Sequence, residues 1–150
     1  MCLTNPELIK DTQEKTGPYY KLVVIDPYGR YYAPFTGKLL AKNKWMKSER
    51  LEFKSNRWEQ NKNSALRKIG FGCKPLDPDS IVGFSAFSSY TKKVKEMEIP
   101  SGDLQCSDYT AKVVKVYFRG KIYKGYTSID YDRFKSIVGE EMFIPSDKEQ

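Results

Sequence analysis

Residues 111–129, AKVVKVYFRGKIYKGYTSI, form the longest run in the chain with a clear two-residue period. Successive side chains on a strand point to opposite faces, and β-branched and aromatic residues suit a pleated, half-buried surface. The run therefore reads as two strands, and the break at Arg119-Gly120-Lys121 predicts a hairpin because Gly120 can take the positive φ of a tight turn. A three-residue loop there sets Phe118 against Ile122, Val116 against Lys124 and Val114 against Tyr126. Lys115, Tyr117, Tyr123 and Gly125 share the other face. One face reads as core and the other as a cationic, aromatic surface.

At 150 residues the chain has the size of a single domain and can bury a core without staples. No run approaches the roughly 20 apolar residues of a membrane span, and nothing at the N-terminus reads as a signal peptide. The expectation is a cytosolic protein with no membrane partner, in which Cys2, Cys73 and Cys106 are free thiols. Histidine is absent. That excludes Ser-His and Cys-His pairs and removes the commonest metal ligand. The net charge of +7 is unevenly placed, because residues 38–74 hold eleven Lys and Arg against three Glu. This basic insert reads either as an electrostatic footprint for an anionic partner or as a solvated face.

Along the chain, Asn5-Pro6-Glu7 is a helix-start signal. Tyr19 to Asp26 reads as a strand, Pro27 to Arg30 as a turn and Tyr31 to Phe35 as the returning strand. Residues 37–54 suggest one or two further short strands. Asn56 to Ile69 has helical spacing closed by Gly70. Ile81 to Phe87 reads as a buried strand interrupted at Gly83. Ser88 or Ser89 can cap a helix to about Met97, Asp130 can cap a helical stretch from Tyr131 to Ile137 that Gly139 ends, and Glu141 to Ile144 makes a last strand. The expected fold is α+β: one domain over 1–150, a curved antiparallel sheet of about five to seven strands with one or two packed helices, and a flexible tail at 146–150.

Few constellations carry chemistry. Ser89-x-x-Lys92 has the spacing of Ser-Lys acyl enzymes without their supporting motifs, and Ser at a helix start is the ordinary cap. Gly70-Phe71-Gly72 is too short for a phosphate loop. Asp130, Asp132, Glu140 and Glu141 read as caps and surface charges before they read as a metal cluster. No catalytic residue, metal ligand or cofactor is assigned. The basic and aromatic residues do more: in KNKWMKSER and SNRWEQNK, Trp45 or Trp58 can stack on a base while neighbouring cations neutralise phosphates. The competing reading buries both tryptophans in the core.

The order of pieces Cys2-Leu3, Tyr20-Lys21-Leu22-Val23, Tyr31-Tyr32-Ala33-Pro34-Phe35, Gly83-Phe84-Ser85-Ala86-Phe87, Val113-Val114-Lys115-Val116 and Gly120-Lys121-Ile122-Tyr123-Lys124-Gly125 resembles a family of small uncharacterised proteins of phages, other viruses and bacteria. Those proteins often carry a His in the Gly-Phe motif where this chain has Ser85. The resemblance implies a compact domain with a viral accessory role in the host cytoplasm, countering host defence by binding a host component. The sequence as a whole leads to the expectation of a non-enzymatic binding protein whose partner is a nucleic acid, a nucleotide or an acidic host-protein surface. Lys44, Lys47, Arg50, Lys54, Arg57, Lys62, Arg67 and Lys68 are the expected anion contacts, with Tyr31 or Trp58 for stacking. The alternatives are a nucleotide- or nucleic-acid-modifying enzyme without His, and a protein-interaction or self-assembling module.

Overall fold

The computed structural model describes residues 3–34, 37–48, 52–54, 80–99, 109–129 and 131–150. In chain order the elements are β1 (Thr4–Ile25), β2 (Tyr31–Tyr32), β3 (Leu39–Leu40), β4 (Trp45–Lys47), β5 (Glu52–Lys54), β6 (Ser80–Val82) and β7 (Phe84–Phe87). Then follow α1 (Lys92–Lys95), β8 (Thr110–Ile129), β9 (Asp132–Phe143) and a 3-10 turn, Asp147–Glu149. A seven-stranded antiparallel sheet and the β5–β6 pair account for the strands. The α+β expectation is overturned: among the described residues, helix is confined to the four residues of α1 and the 3-10 turn. The helix expected over 56–69 lies outside the described residues.

Gly120 has the left-handed backbone expected of it, φ +82°, and yet no turn forms there. The chain runs straight on, and the extra residue is taken up as a bulge in the β8–β9 register between Arg119 and Ile122. The hairpin turn lies instead between Ile129 and Asp132, which pair across it, with Tyr131 at φ +72°. Before the bulge the face assignment survives, because Val114, Val116 and Phe118 are buried while Lys115 is exposed; beyond it Ile122 is buried, but Lys124, expected on the core face, is exposed, and Tyr123, expected on the outer one, packs with Leu3 and Val138. Continuing β8 past Gly120 lets it pair with β1 over its whole length, from Thr110↔Ile25 to Tyr126↔Thr4.

That pairing also decides two segments that read as helical. Asn5-Pro6-Glu7 belongs to β1, and the long ladder to β8 outweighs a capping signal with little to bury behind it: Leu8 stays 50% exposed. Residues 132–137 are the start of β9, in which Phe134, Ser136 and Val138 point inward while Arg133 and Lys135 point out. Gly139 is not a helix end. A Cβ there would lie 2.5 Å from the Phe118 ring, so its place is a close approach of two strands. In α1 the cap is Thr91, whose hydroxyl accepts from Val94 N at 3.3 Å, and the helix stops after one turn.

β1 pairs with β8, β8 with β9, β9 with β7, and β7 with β1 through Phe87↔Tyr20, so four strands close a circuit. Its strands are covered on both faces. One side holds Val23, Ala86, Val116, Phe118 and Met142; the other holds Leu22, Phe87, Val113 and Phe134 beneath Val94 and Met97. Inside the first cluster's face sits Lys21, which is 4% exposed and donates from Nζ to the Ser85 carbonyl at 2.7 Å. Burial lowers its ammonium to a pKa of about 8.

The β1–β2 turn is held by one carboxylate. Asp26 accepts from Tyr28 N and Arg30 N at 2.9 Å, from Arg30 Nε at 2.6 Å and from the Tyr32 hydroxyl at 3.0 Å. Burial pulls its pKa up, but the bonds from Arg30, Tyr32 and Tyr28 prevail and hold it at about 2. The last residues are tied as well. Asp147 accepts from the Tyr31 hydroxyl at 2.5 Å and from Lys42 Nζ at 3.4 Å. The Gln150 side chain pairs with both backbone groups of Lys115, at 2.6 and 3.1 Å, like one more residue of strand.

Candidate nucleic-acid interface

Beyond the closed circuit, β8, β9 and β4 lie side by side and turn one face away from the core. The registers Tyr117↔Phe143 and Phe143↔Trp45 set three aromatic residues abreast across the three strands. Directly opposed residues of antiparallel strands share a face, so the rings form a row at right angles to the chain direction. All three are half-buried, and the Trp45 and Phe143 centroids stand 5.4 Å apart with the rings tilted by 46°.

Two residues further along each strand lies the row Arg119↔Glu141↔Lys47. Arg119 Nη2 donates to Glu141 Oε1 at 3.1 Å, and its guanidinium carbon stands 4.1 Å from the Trp45 ring. From β1 the ammonium of Lys15 approaches the other end of the aromatic row, 4.1 Å from the Tyr117 centroid and 5.4 Å from that of Phe143. Cations on ring faces are held by the ring quadrupole, and this arrangement keeps positive charge beside each ring. Glu141 offsets Arg119, while Lys15 and Lys47 are exposed. Such a face can stack planar unsaturated groups and neutralise the anions attached to them.

Of the residues singled out in the sequence, Lys47 lies on this face and Lys44 is exposed immediately before Trp45. Tyr31 is elsewhere: it is 3% exposed, its ring lies 4.5 Å from Lys42 Nζ, and burial followed by the Asp147 bond raises its pKa. Lys54 falls in β5. Arg50, Arg57, Trp58, Lys62, Arg67 and Lys68 lie outside the described residues. The sequence puts Tyr117 on the outer face of its strand and offers Trp45 as a stacking residue. Phe143, Lys15 and Arg119 join the face only through registers that no local pattern encodes. Among the described residues no three His, Cys, Asp or Glu side chains gather as a metal site.

The fold and this face define an antiparallel β domain bearing a cation-bordered aromatic row. No family model, curated protein or solved structure matches the chain. No helix among the described residues is long and apolar enough to cross a membrane.

Proposed function

We propose that the chain is a non-enzymatic binding protein that takes single-stranded nucleic acid across the β8–β9–β4 face. The observation that carries this reading is the row Tyr117, Phe143 and Trp45, in register on three adjacent strands with Lys15 at one end and Arg119 and Lys47 alongside. Every base has a π face, so stacking on such a row tolerates sequence and contributes about 1–3 kcal/mol per base. A base settling on Tyr117 displaces the Lys15 ammonium onto the neighbouring phosphate. Of the basic residues of 38–74, Lys44 and Lys47 supply phosphate contacts in this reading. The family resemblance implies an accessory protein in the host cytoplasm that binds a host component, and in this reading that component is a nucleic acid.

The test is binding of a fluorescent single-stranded oligonucleotide as a function of salt. Three phosphate contacts, from Lys15, Lys44 and Lys47, give log K against log salt a slope of about −2 at roughly −0.7 per contact on a single strand. Lys15→Gln with Lys47→Gln, both on exposed side chains, should flatten that slope by more than half, and Trp45→Ala should weaken binding between about 5-fold and 100-fold. Binding that ignores salt, or that survives Trp45→Ala in a folded protein, refutes the reading.

A further inference from the structure

A second region, at the other end of β9, has the chemistry of a small-ligand site. The registers Tyr126↔Lys135 and Ser128↔Arg133 put Tyr126, Arg133 and Lys135 on one face of the β8–β9 hairpin. Their neighbours Thr127, Phe134 and Ser136 are buried on the other. The chain before α1 is fastened to this hairpin by Ser88 N donating to Lys135 O at 3.0 Å, and Val94 of α1 packs in the same cluster as Phe134. Two hollows of about 330 Å³ each result, and Lys135 lines both. Each is at the small end of the range for ligand pockets.

The hollows differ in chemistry. The first brings together Lys92, Lys93, Arg133 and Lys135 with the hydroxyls of Ser89 and Thr91, over an apolar floor of Val94 and Phe134, and no carboxylate among the described residues lines it. Lys93 also reaches Asp132, at 3.1 Å. Cations from two separate elements thus converge on one concave space, which suits adjacent phosphate groups. In the second hollow Glu7 lies 3.6 Å from Lys124 and offsets it. What remains there is the Asn5 amide, the Ser88 hydroxyl, the open backbone at Gly125 and the Tyr126 ring, with the Arg133 guanidinium 3.8 Å from that ring. An aromatic face with an amide and a hydroxyl beside it suits a base.

We infer that these two hollows, which share Lys135, bind a nucleoside polyphosphate, its phosphates among Lys92, Arg133 and Lys135 and its base against Tyr126. Lys135, common to both hollows, sits where the ribose and first phosphate meet. The site is distinct from the aromatic row: Lys135 and Phe143 are eight residues apart on β9, about 26 Å along a strand.

Calorimetric titration of the intact protein with each of the four ribonucleoside triphosphates and with inorganic tripolyphosphate tests this. At least one nucleotide should bind ten-fold or more tightly than tripolyphosphate. Lys92→Gln with Arg133→Gln, on exposed side chains, should weaken both ligands by ten-fold or more, with the urea midpoint unchanged as the check on folding. Tyr126→Ala should reduce the nucleotide to the affinity of tripolyphosphate, and Trp45→Ala should leave nucleotide binding as it was. The inference is overturned if no nucleotide outbinds tripolyphosphate, if neither binds, or if the double variant keeps its nucleotide affinity. These outcomes do not depend on the oligonucleotide result, which reads the other face.

Discussion

Replacing Lys21 by Met should make the protein more stable at neutral pH and remove a rise in stability that the wild type shows toward alkaline pH. In the fold, burial holds the Lys21 ammonium at about 8, against 10.5 for the exposed group. Between those values the unfolded chain binds more protons than the folded one, so stability increases with pH; below about 8 the whole penalty is present. The gap corresponds to about 3 kcal/mol, of which about 2 kcal/mol is recovered between pH 7 and 9.5. Tyr31 and Tyr90 are pushed upward, Tyr90 to about 12, so the stability they lend falls away only above about pH 10 and leaves the window clear. Met keeps the unbranched stem in its packing but leaves the Ser85 carbonyl unpaired, which costs about 1 kcal/mol and leaves a net gain of about 2 kcal/mol at pH 7. Urea unfolding at pH 7, 8, 9 and 9.5 reads both effects, the wild-type midpoint rising by about 1 M for an m-value near 2 kcal/mol/M. A wild-type midpoint that stays flat or falls over that range, or a Lys21→Met variant that keeps the same slope, refutes the argument.

Gly139→Ala should cost about 1–3 kcal/mol in thermal or urea unfolding, because its Cβ would lie 2.5 Å from Phe118, whose ring is fully buried and has nowhere to move; a neutral outcome would mean that β8 and β9 are not this close. In acid, the bonds that hold Asp26 at about 2 stabilise the fold above the ordinary value of 3.8, and that contribution is lost as pH falls toward 2. Asp26→Asn should therefore flatten the acid limb of stability between pH 4 and 2 when followed by circular dichroism, and parallel limbs for the two proteins would remove Asp26 from the explanation.

The parts of the fold that could be read from the sequence are those decided within a few residues. Tyr19 to Asp26 is a run rich in aromatic and β-branched residues and packs as a strand to Ile25, the Pro27–Arg30 turn sits where Pro and Gly put it, and Val114, Val116 and Phe118 take the buried face. The errors arose where a local signal competed with a distant partner. Gly120 is needed for its positive φ, but a bulge and a turn ask for the same residue, and only β1 lying alongside makes the bulge the better use. Asn5 and the residues after Asp130 carry cap residues without an apolar stripe long enough to hold a helix, and the β8 ladder claims both. The candidate face was legible in Trp45, Lys44, Lys47 and the outward Tyr117. Its assembly depended on Phe143 pairing at once with Tyr117 and Trp45, a register set by the whole sheet.

The pairing of β1 with β8 has a consequence for how the protein is made. Thr4 meets Tyr126 and Ile25 meets Thr110, so β1 leaves the ribosome long before the strand it pairs with along its length. Such non-local pairing must meet the loop-closure entropy before any contact returns it, which places the domain among slow folders. In the interval β1 is an open strand edge, and Glu7, Lys10, Asp11, Glu14 and Lys15 along its first half, all exposed even in the finished fold, keep that edge charged and discourage pairing with another nascent chain. The mixture of acid and base there acts in time as well as in space, as a chaperone written into a strand that must wait for its partner.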